Sequence, residues 1–194
     1  MAIETLFEVG KVRIHELQES GIARLQAFFD ANPGYFIAAN GEPARPDEAH
    51  DEFFDRPPPE MSHGRVATLS FDDAADRMVA MAMVVADLMV ARAWHIGLFI
   101  VDTPLHGSGA AARFYQGLEA WIRRQGADWL RLGVLVGNSR AEAFWARMGY
   151  TELRRRHGQV YGSLTHSVRV MAKPLADRGL DDYLALVPRD RPEN

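Results

Sequence analysis

A chain of 194 residues that is 47% hydrophobic and 25% charged has the length for one domain with a sizeable core and lies far from the composition of a disordered polymer. Its formal net charge of −4 gives no general attraction to nucleic acid or to anionic membrane, and the nearest basic run, Arg154-Arg155-Arg156, reads as a solvated strand end. With no cysteine there is no disulfide framework, no thiolate metal site and no acyl-cysteine intermediate.

The opening stretch, Met1 to Gly10, carries Glu4 and Glu8 and lacks the basic, apolar, small-residue order of a signal peptide. No run of about 18 uninterrupted apolar residues exists, so a cytoplasmic location away from membranes is expected. Val12, Ile14 and Leu17 alternate with polar neighbours and predict a first strand over Lys11–Leu17. Ser20 offers a helix N-cap, Ile22, Leu25, Phe28 and Phe29 form an apolar face, and Asn32-Pro33-Gly34 stops the helix.

From Gly34 to Ser62 the pattern weakens. Prolines bracket a short helix through Phe53 and Phe54, and Asp47, Glu48, Asp51, Glu52 and Asp55 crowd together in what reads as a binding loop or lid. Strands are predicted over Arg65–Phe71, Met78–Ala86 and Ala93–Val101, joined closely enough for an antiparallel meander. Gly107 to Gln125 is a helix with Phe114, Leu118, Trp121 and Ile122 on one face, followed by a strand from Trp129 to Val136. Ser139 and Glu142 have capping-box spacing for a helix that buries Phe144, Trp145 and Met148, and Tyr150–Arg155 and Ser167–Ala172 are the last strands. This order predicts an α/β domain with a mixed sheet.

The chemistry concentrates where the strand ending at Val101 turns through Asp102-Thr103-Pro104-Leu105 into His106-Gly107-Ser108-Gly109-Ala110-Ala111 and a helix. A small-residue turn at a helix N-terminus exposes backbone amides with the positive end of the helix dipole and can cradle phosphate; otherwise it is a tight turn holding nothing. No Lys-Ser or Lys-Thr follows the glycines, so a Walker loop is excluded. Gly107 to Ala112 fits a loose dinucleotide pattern, but Gly137-Asn138 stands where a ribose-binding acid belongs, and too little chain remains for a doubly wound sheet.

His106, Gly109 and Ala111, followed by Asn138, Ala141, Phe144, Trp145, Gly149 and Tyr150, resemble the two motif blocks of the GNAT superfamily of N-acetyltransferases. The resemblance covers Lys11–Leu175 in element order and is specific from His95 to Tyr150. It departs from the pattern at His106, where Gln or Arg is usual. It implies a single domain over 1–194, with a mixed, mostly antiparallel sheet flanked by helices and a short C-terminal tail from about 176. It also implies acetyl-CoA as cosubstrate. The turn His106, Gly107, Ser108, Gly109, Ala110 and Ala111 would lie on the pyrophosphate, and the strand Phe99, Ile100 and Val101 would pair with the pantetheine arm and place an amide on the thioester oxygen. Asn138, Phe144 and Trp145 would complete the cofactor side. Gly97, isolated in a bulky strand, suits a bulge or a close backbone approach; the alternative is a packing glycine.

Acetyl transfer needs a neutral amine, hence a base. Many members place Glu at the position of His95, which is then either that base or a structural strand histidine. Trp145 stands where a Tyr commonly protonates the thiolate; Tyr115, Tyr150 and Tyr161 are the substitutes, and a thiolate of pKa near ~8.5 also leaves unaided. The remaining histidines lack ligand spacing, so no metal is expected, and Ser108 lacks the nucleophile elbow of a hydrolase. The acceptor is a small-molecule or peptide amine. The acid cluster is either a solvated helix face or a surface that favours small polycationic amines. Two readings of activity stand: an N-acetyltransferase working by direct attack in a ternary complex, and an acyl-CoA-binding module without efficient turnover. The sequence leaves monomer and homodimer open.

Overall fold

In the computed structural model, which describes residues 4–192, the chain opens with a hairpin rather than a single strand. β1 (Thr5–Val9) pairs antiparallel with β2 (Val12–Glu16) through a turn at Gly10, whose φ of +62° suits glycine. Phe7 alone of β1 is buried, so its sequence shows no run of alternation to betray the strand. A 3-10 turn over Glu19–Gly21 leads into α1 (Ile22–Ala31), which buries Leu25, Phe28 and Phe29; Gly21, not Ser20, stands at its N-cap.

Asn32-Pro33-Gly34 ends α1 and at once starts another helix. Pro33 occupies the first turn of α2 (Pro33–Asn40), where its missing N–H and fixed φ are no handicap. The buried Asn32 side chain fixes the junction: its amide donates to the Phe28 carbonyl (2.9 Å), and its oxygen accepts from the Thr103 amide (2.7 Å) and hydroxyl (2.8 Å). α3 (Glu48–Phe54) is the short helix expected in the irregular segment. The Gln26 side chain pins that segment to α1, accepting from the Ala49 amide (2.9 Å) and donating to the Arg45 carbonyl (2.8 Å).

The meander follows as β3 (Val66–Asp72), β4 (Met78–Val85) and β5 (Ala93–Val101). Then come α4 (Ala110–Arg124), β6 (Trp129–Leu135), α5 (Ser139–Arg147) and a hairpin of two 11-residue strands, β7 (Thr151–Tyr161) and β8 (Leu164–Pro174). The eight strands form one sheet in the order β1-β2-β3-β4-β5-β6-β8-β7, antiparallel at every junction except β5–β6. This is the mixed, mostly antiparallel α/β arrangement.

Alternation along the strands divides the core. Phe71, Ala82, Trp94, Ile96, Leu130 and Leu132 meet Phe114, Leu118, Trp121, Ile122 and Trp145 of α4 and α5 on one face. Met81, Met83, Leu98 and Ile100 meet Leu25, Phe28, Phe29 and Phe36 of α1 and α2 on the other. The stretch from about 176, expected as a short tail, carries α6 (Leu180–Leu186), whose Tyr183, with Val187 just after the helix, packs against Ala93, Trp129, Leu153 and Ala172. Asp190 behind it is fully buried. No helix among the described residues is long and apolar enough to cross a membrane.

Candidate active site

β5 and β6 pair in parallel only from Ala93↔Trp129 to Ile96↔Leu132, although β5 runs on to Val101 and β6 to Leu135. Beyond Ile96 the two strands splay, leaving one edge of β5 with backbone groups that no strand satisfies. Gly97 sits at the start of the splay. The β4 register steps from Val84↔Ile96 to Met83↔Leu98 and skips it, so Gly97 is a bulge residue, exposed and bending β5 away from β6. It is not a packing glycine, since an added Cβ would meet nothing closer than 3.8 Å.

On the α4–α5 face, the turn after β5 has Gly107 at φ +81° and Gly109 at φ +78°, and α4 begins at Ala110 rather than Gly107. Two left-handed glycines ahead of a helix start shape a small-residue concavity that suits anionic oxygens, with the Ser108 and Ala110 amides bonded within the turn to the Leu105 carbonyl and the Ser108 hydroxyl (both 3.3 Å). The Ser108 hydroxyl donates to the Leu105 carbonyl (2.7 Å), as suits a turn residue. His106 does not offer its ring to a ligand. Nε2 donates to the Val101 carbonyl (2.8 Å), which fixes the tautomer and leaves Nδ1 to accept from Arg140 Nη1 (3.1 Å). Arg140, in the first turn of α5, thus brings a cation to this turn.

The α5 cap is shifted by one from the expected Ser139–Glu142 box. Asn138 is the N-cap, accepting from the Ala141 amide (3.1 Å), while Glu142 accepts from the Gly137 amide (3.0 Å). The Asn138 side chain is therefore committed to the cap. Phe144 stacks on Phe99 at 6.3 Å, and Trp145 is buried among Phe99, Tyr115 and Tyr150. Ile100 turns to the opposite face, and Val101 lies in the core with its carbonyl taken by His106. Among the three expected strand residues, then, the groups open to a ligand are main-chain ones. Of the substitute acids, Tyr115 donates to Glu119 (2.5 Å) and contacts the Tyr150 hydroxyl (3.2 Å), and Glu119 is held by Lys173 (2.6 Å). Burial pushes both tyrosines far above the ordinary phenol range, so neither is a ready proton donor.

On the other face, below the splay, lies a cavity of about 330 Å³ lined by His95 and Gly97, Arg131 of β6, Tyr35 of α2, Glu52 and Asp55 at the end of α3, and Arg156 and Tyr161 of β7. Its roof is the tip of the β7–β8 hairpin clasped to α2: the Ser163 amide and hydroxyl donate to the Asn40 carbonyl (both 3.1 Å), and His166 Nε2 donates to the Ala39 carbonyl (2.8 Å). Gly162, at φ +53°, lies so close that a Cβ would fall 2.6 Å from the Asn40 oxygen.

His95 is in this cavity, half-buried, with Nδ1 3.1 Å from the Arg131 carbonyl and 3.4 Å from Arg131 Nη1. The shorter contact has Nδ1–H donating to the carbonyl, leaving Nε2 as an acceptor. Burial, and then the Arg131 charge, push the imidazole pKa down to about 3, so His95 is neutral and a far weaker base than a free histidine. Glu52 moves the other way. Burial, with the charges of Asp55 and Glu48, raises its carboxyl to about 7.

The rest of the acid cluster turns elsewhere. Glu48 is buried on Arg45 Nε (2.8 Å), Asp51 binds Arg45 Nη2 (2.7 Å), and Asp47 lies 3.8 Å from Arg45, so only Glu52 and Asp55 of the five acids line the cavity. Among the described residues no group of three or more His, Cys, Asp or Glu could hold a metal ion.

Residues 19–150 match the model of the Acetyltransferase (GNAT) family. The fold is similar to ribosomal-protein-S18-alanine N-acetyltransferase from Escherichia coli at 16% identity and TM-score 0.62, covering 87% of this chain and 96% of that one. An acetyltransferase from Thermus thermophilus aligns at 15% identity and TM-score 0.68, over 87% of this chain and 100% of its own. Spermidine N-acetyltransferase from Vibrio cholerae, solved in complex with CoA and spermine, aligns at 12% identity and TM-score 0.65, over 84% and 95%. No curated protein matches the sequence.

Proposed function

The chain belongs to the acetyltransferase (GNAT) family, and from that premise we propose that it transfers the acetyl group of acetyl-CoA to the amine of a small acceptor by direct attack in a ternary complex. The observation that carries this reading is the β5–β6 splay. It joins an anion cradle on one face of the sheet to a cavity on the other, so that two substrates meet in the gap.

The cradle fits a pyrophosphate. The turn from Gly107 to Ala111 supplies amides and the α4 dipole, and Arg140 supplies a cation held by His106. The thioester contributes an acyl carbon activated toward an amine. The unpaired β5 edge beyond Ile96 supplies main-chain amides toward its oxygen, where negative charge develops. Glu52 and Asp55 draw the acceptor in as an ammonium, and Glu52 takes one proton to free the nitrogen lone pair; the neutral amine then attacks the acyl carbon, the C–S bond breaks, and the second nitrogen proton passes to the departing thiolate as the amide forms. His95 Nε2 accepts a hydrogen bond from the amine and orients it, a task that suits a neutral imidazole. With Tyr115 and Tyr150 locked together, the thiolate leaves without a dedicated acid, or with Tyr161 nearby. A volume of about 330 Å³ under a clasped roof favours a small molecule over a peptide.

The deciding experiment measures thiol release from acetyl-CoA across a panel of amines, alongside thermal stabilisation by CoA. Amine-dependent release is expected. Stabilisation by CoA without release under any amine would instead establish the acyl-CoA-binding module.

A further inference from the structure

The cavity is lined by charges of both signs, carried by different elements. Glu52 and Asp55 line it from α3, whereas Arg131 and Arg156 line it from β6 and β7. Among the described residues the two arginines share one carboxylate counter-ion. The fully buried Asp190 accepts from Arg131 Nε (2.6 Å) and Nη2 (3.2 Å), from Arg156 Nη2 (3.0 Å) and from the Tyr183 hydroxyl (2.6 Å). Arg131 holds the carboxylate with two nitrogens and Arg156 with one, so this wall keeps a net positive charge that Asp190 cannot neutralise.

His95 adds no cation, because it stays neutral. Burial and the like charges of Arg131 and Arg189 press the Arg156 guanidinium below its ordinary pKa, as an under-compensated cation requires. A half-buried cation at a cavity wall gains from any anion that completes its coordination, and guanidinium is shaped for the two oxygens of a carboxylate. Gln159 and Tyr161, on the same strand as Arg156, can add hydrogen bonds but no charge.

We infer that the acceptor is a small zwitterion of the amino-acid type, its ammonium at Glu52 and Asp55 and its carboxylate on Arg156. This rests on the acetyltransferase reading and narrows it: a polycation is attracted by Glu52 and Asp55 but repelled by Arg131 and Arg156.

The test compares matched acceptors in the thiol-release assay. β-Alanine, 4-aminobutyrate and several α-amino acids are each set beside the corresponding amide and decarboxylated amine, with 1,4-diaminobutane as the dication. The carboxylate form should win in kcat/KM by at least about tenfold in at least one series, as expected for a charge-assisted pair. Arg156→Gln should collapse that preference toward unity while leaving the KM for acetyl-CoA in place, and Arg156→Lys should retain part of it. Asp190 keeps Arg131 and Tyr183 in both variants, and a circular-dichroism melt confirms folding. Release with amides, amines or the dication at equal or better efficiency than with the carboxylates would overturn this inference alone. No release with any amine would overturn the acetyltransferase reading and this inference with it.

Discussion

Replacing Glu52 by Gln isolates the proton transfer on which the proposed chemistry turns. An alkylammonium of pKa about 10 delivers its proton to a carboxylate of pKa about 7 at a penalty of three units, roughly 4 kcal/mol; delivery to His95 at about 3 is seven units uphill, roughly 9–10 kcal/mol. Glu52 is thus favoured over His95 by about 5 kcal/mol, and its loss should lower kcat/KM by about 10²–10³ with acetyl-CoA affinity unaffected. The pH profile carries a second signature. The active form is the carboxylate, so the parent rate should fall as pH drops through about 7, approaching tenfold per unit well below it, and the variant should lose that limb.

Stability moves with the opposite sign. A carboxyl raised from its ordinary value to about 7 weakens the fold as pH climbs through that window, so Glu52→Gln should melt higher than the parent at pH 8 and alike at pH 4. Thiol release from pH 5.5 to 9 and a melting series measure both. A variant within threefold of the parent rate, or one that keeps the limb near 7, would refute Glu52 as the base.

Arg140→Ala should raise the KM for acetyl-CoA about tenfold but leave that for acetylpantetheine, which lacks the phosphates, unchanged; equal effects on both would place Arg140 outside the pyrophosphate site. His95→Asn should lower kcat by less than Glu52→Gln and preserve the limb near 7. Because the folded His95 pKa lies near 3, below its unfolded value, the parent loses stability as pH falls from about 6.5 toward 3, and the variant should resist acid better in a melting series. Gly162→Ala sets a Cβ 2.6 Å from the Asn40 oxygen at a positive φ, so it should destabilise the fold by about 1–3 kcal/mol in a denaturant melt and leave CoA binding intact.

The block from β5 to α5 was legible because its signals are local. An apolar strand, two glycines ahead of a helix, and an Asn–Ala–aromatic run at fixed spacing all encode their geometry within a few residues. Even there the cap moved from Ser139 to Asn138, since adjacent polar residues compete for the same amides. Where the outcome depended on distant partners the sequence was silent. Pro33 reads as a stop, yet the chain restarts there because Asn32 is tied to Thr103. The approach of Arg140 to His106 joins positions far apart in the chain, and Asp190 acquires its two arginines only when α6 folds back. Glu52 was visible as one acid among five; its basicity comes from burial and from the charges of Asp55 and Glu48. The low basicity of His95 likewise comes from Arg131, on a different strand.

The clasp between the hairpin tip and α2 has an evolutionary corollary. It joins two stretches of chain that lie outside the cradle-forming block, one before β5 and one after α5, and between them they carry most of the acceptor wall. Substitutions that retune Tyr35, Glu52, Arg156 or Tyr161 leave the glycine turn and its helix dipole untouched. A descendant of this chain can therefore change the molecule it modifies by drift in two peripheral segments, provided that Gly162 stays small enough for them to meet.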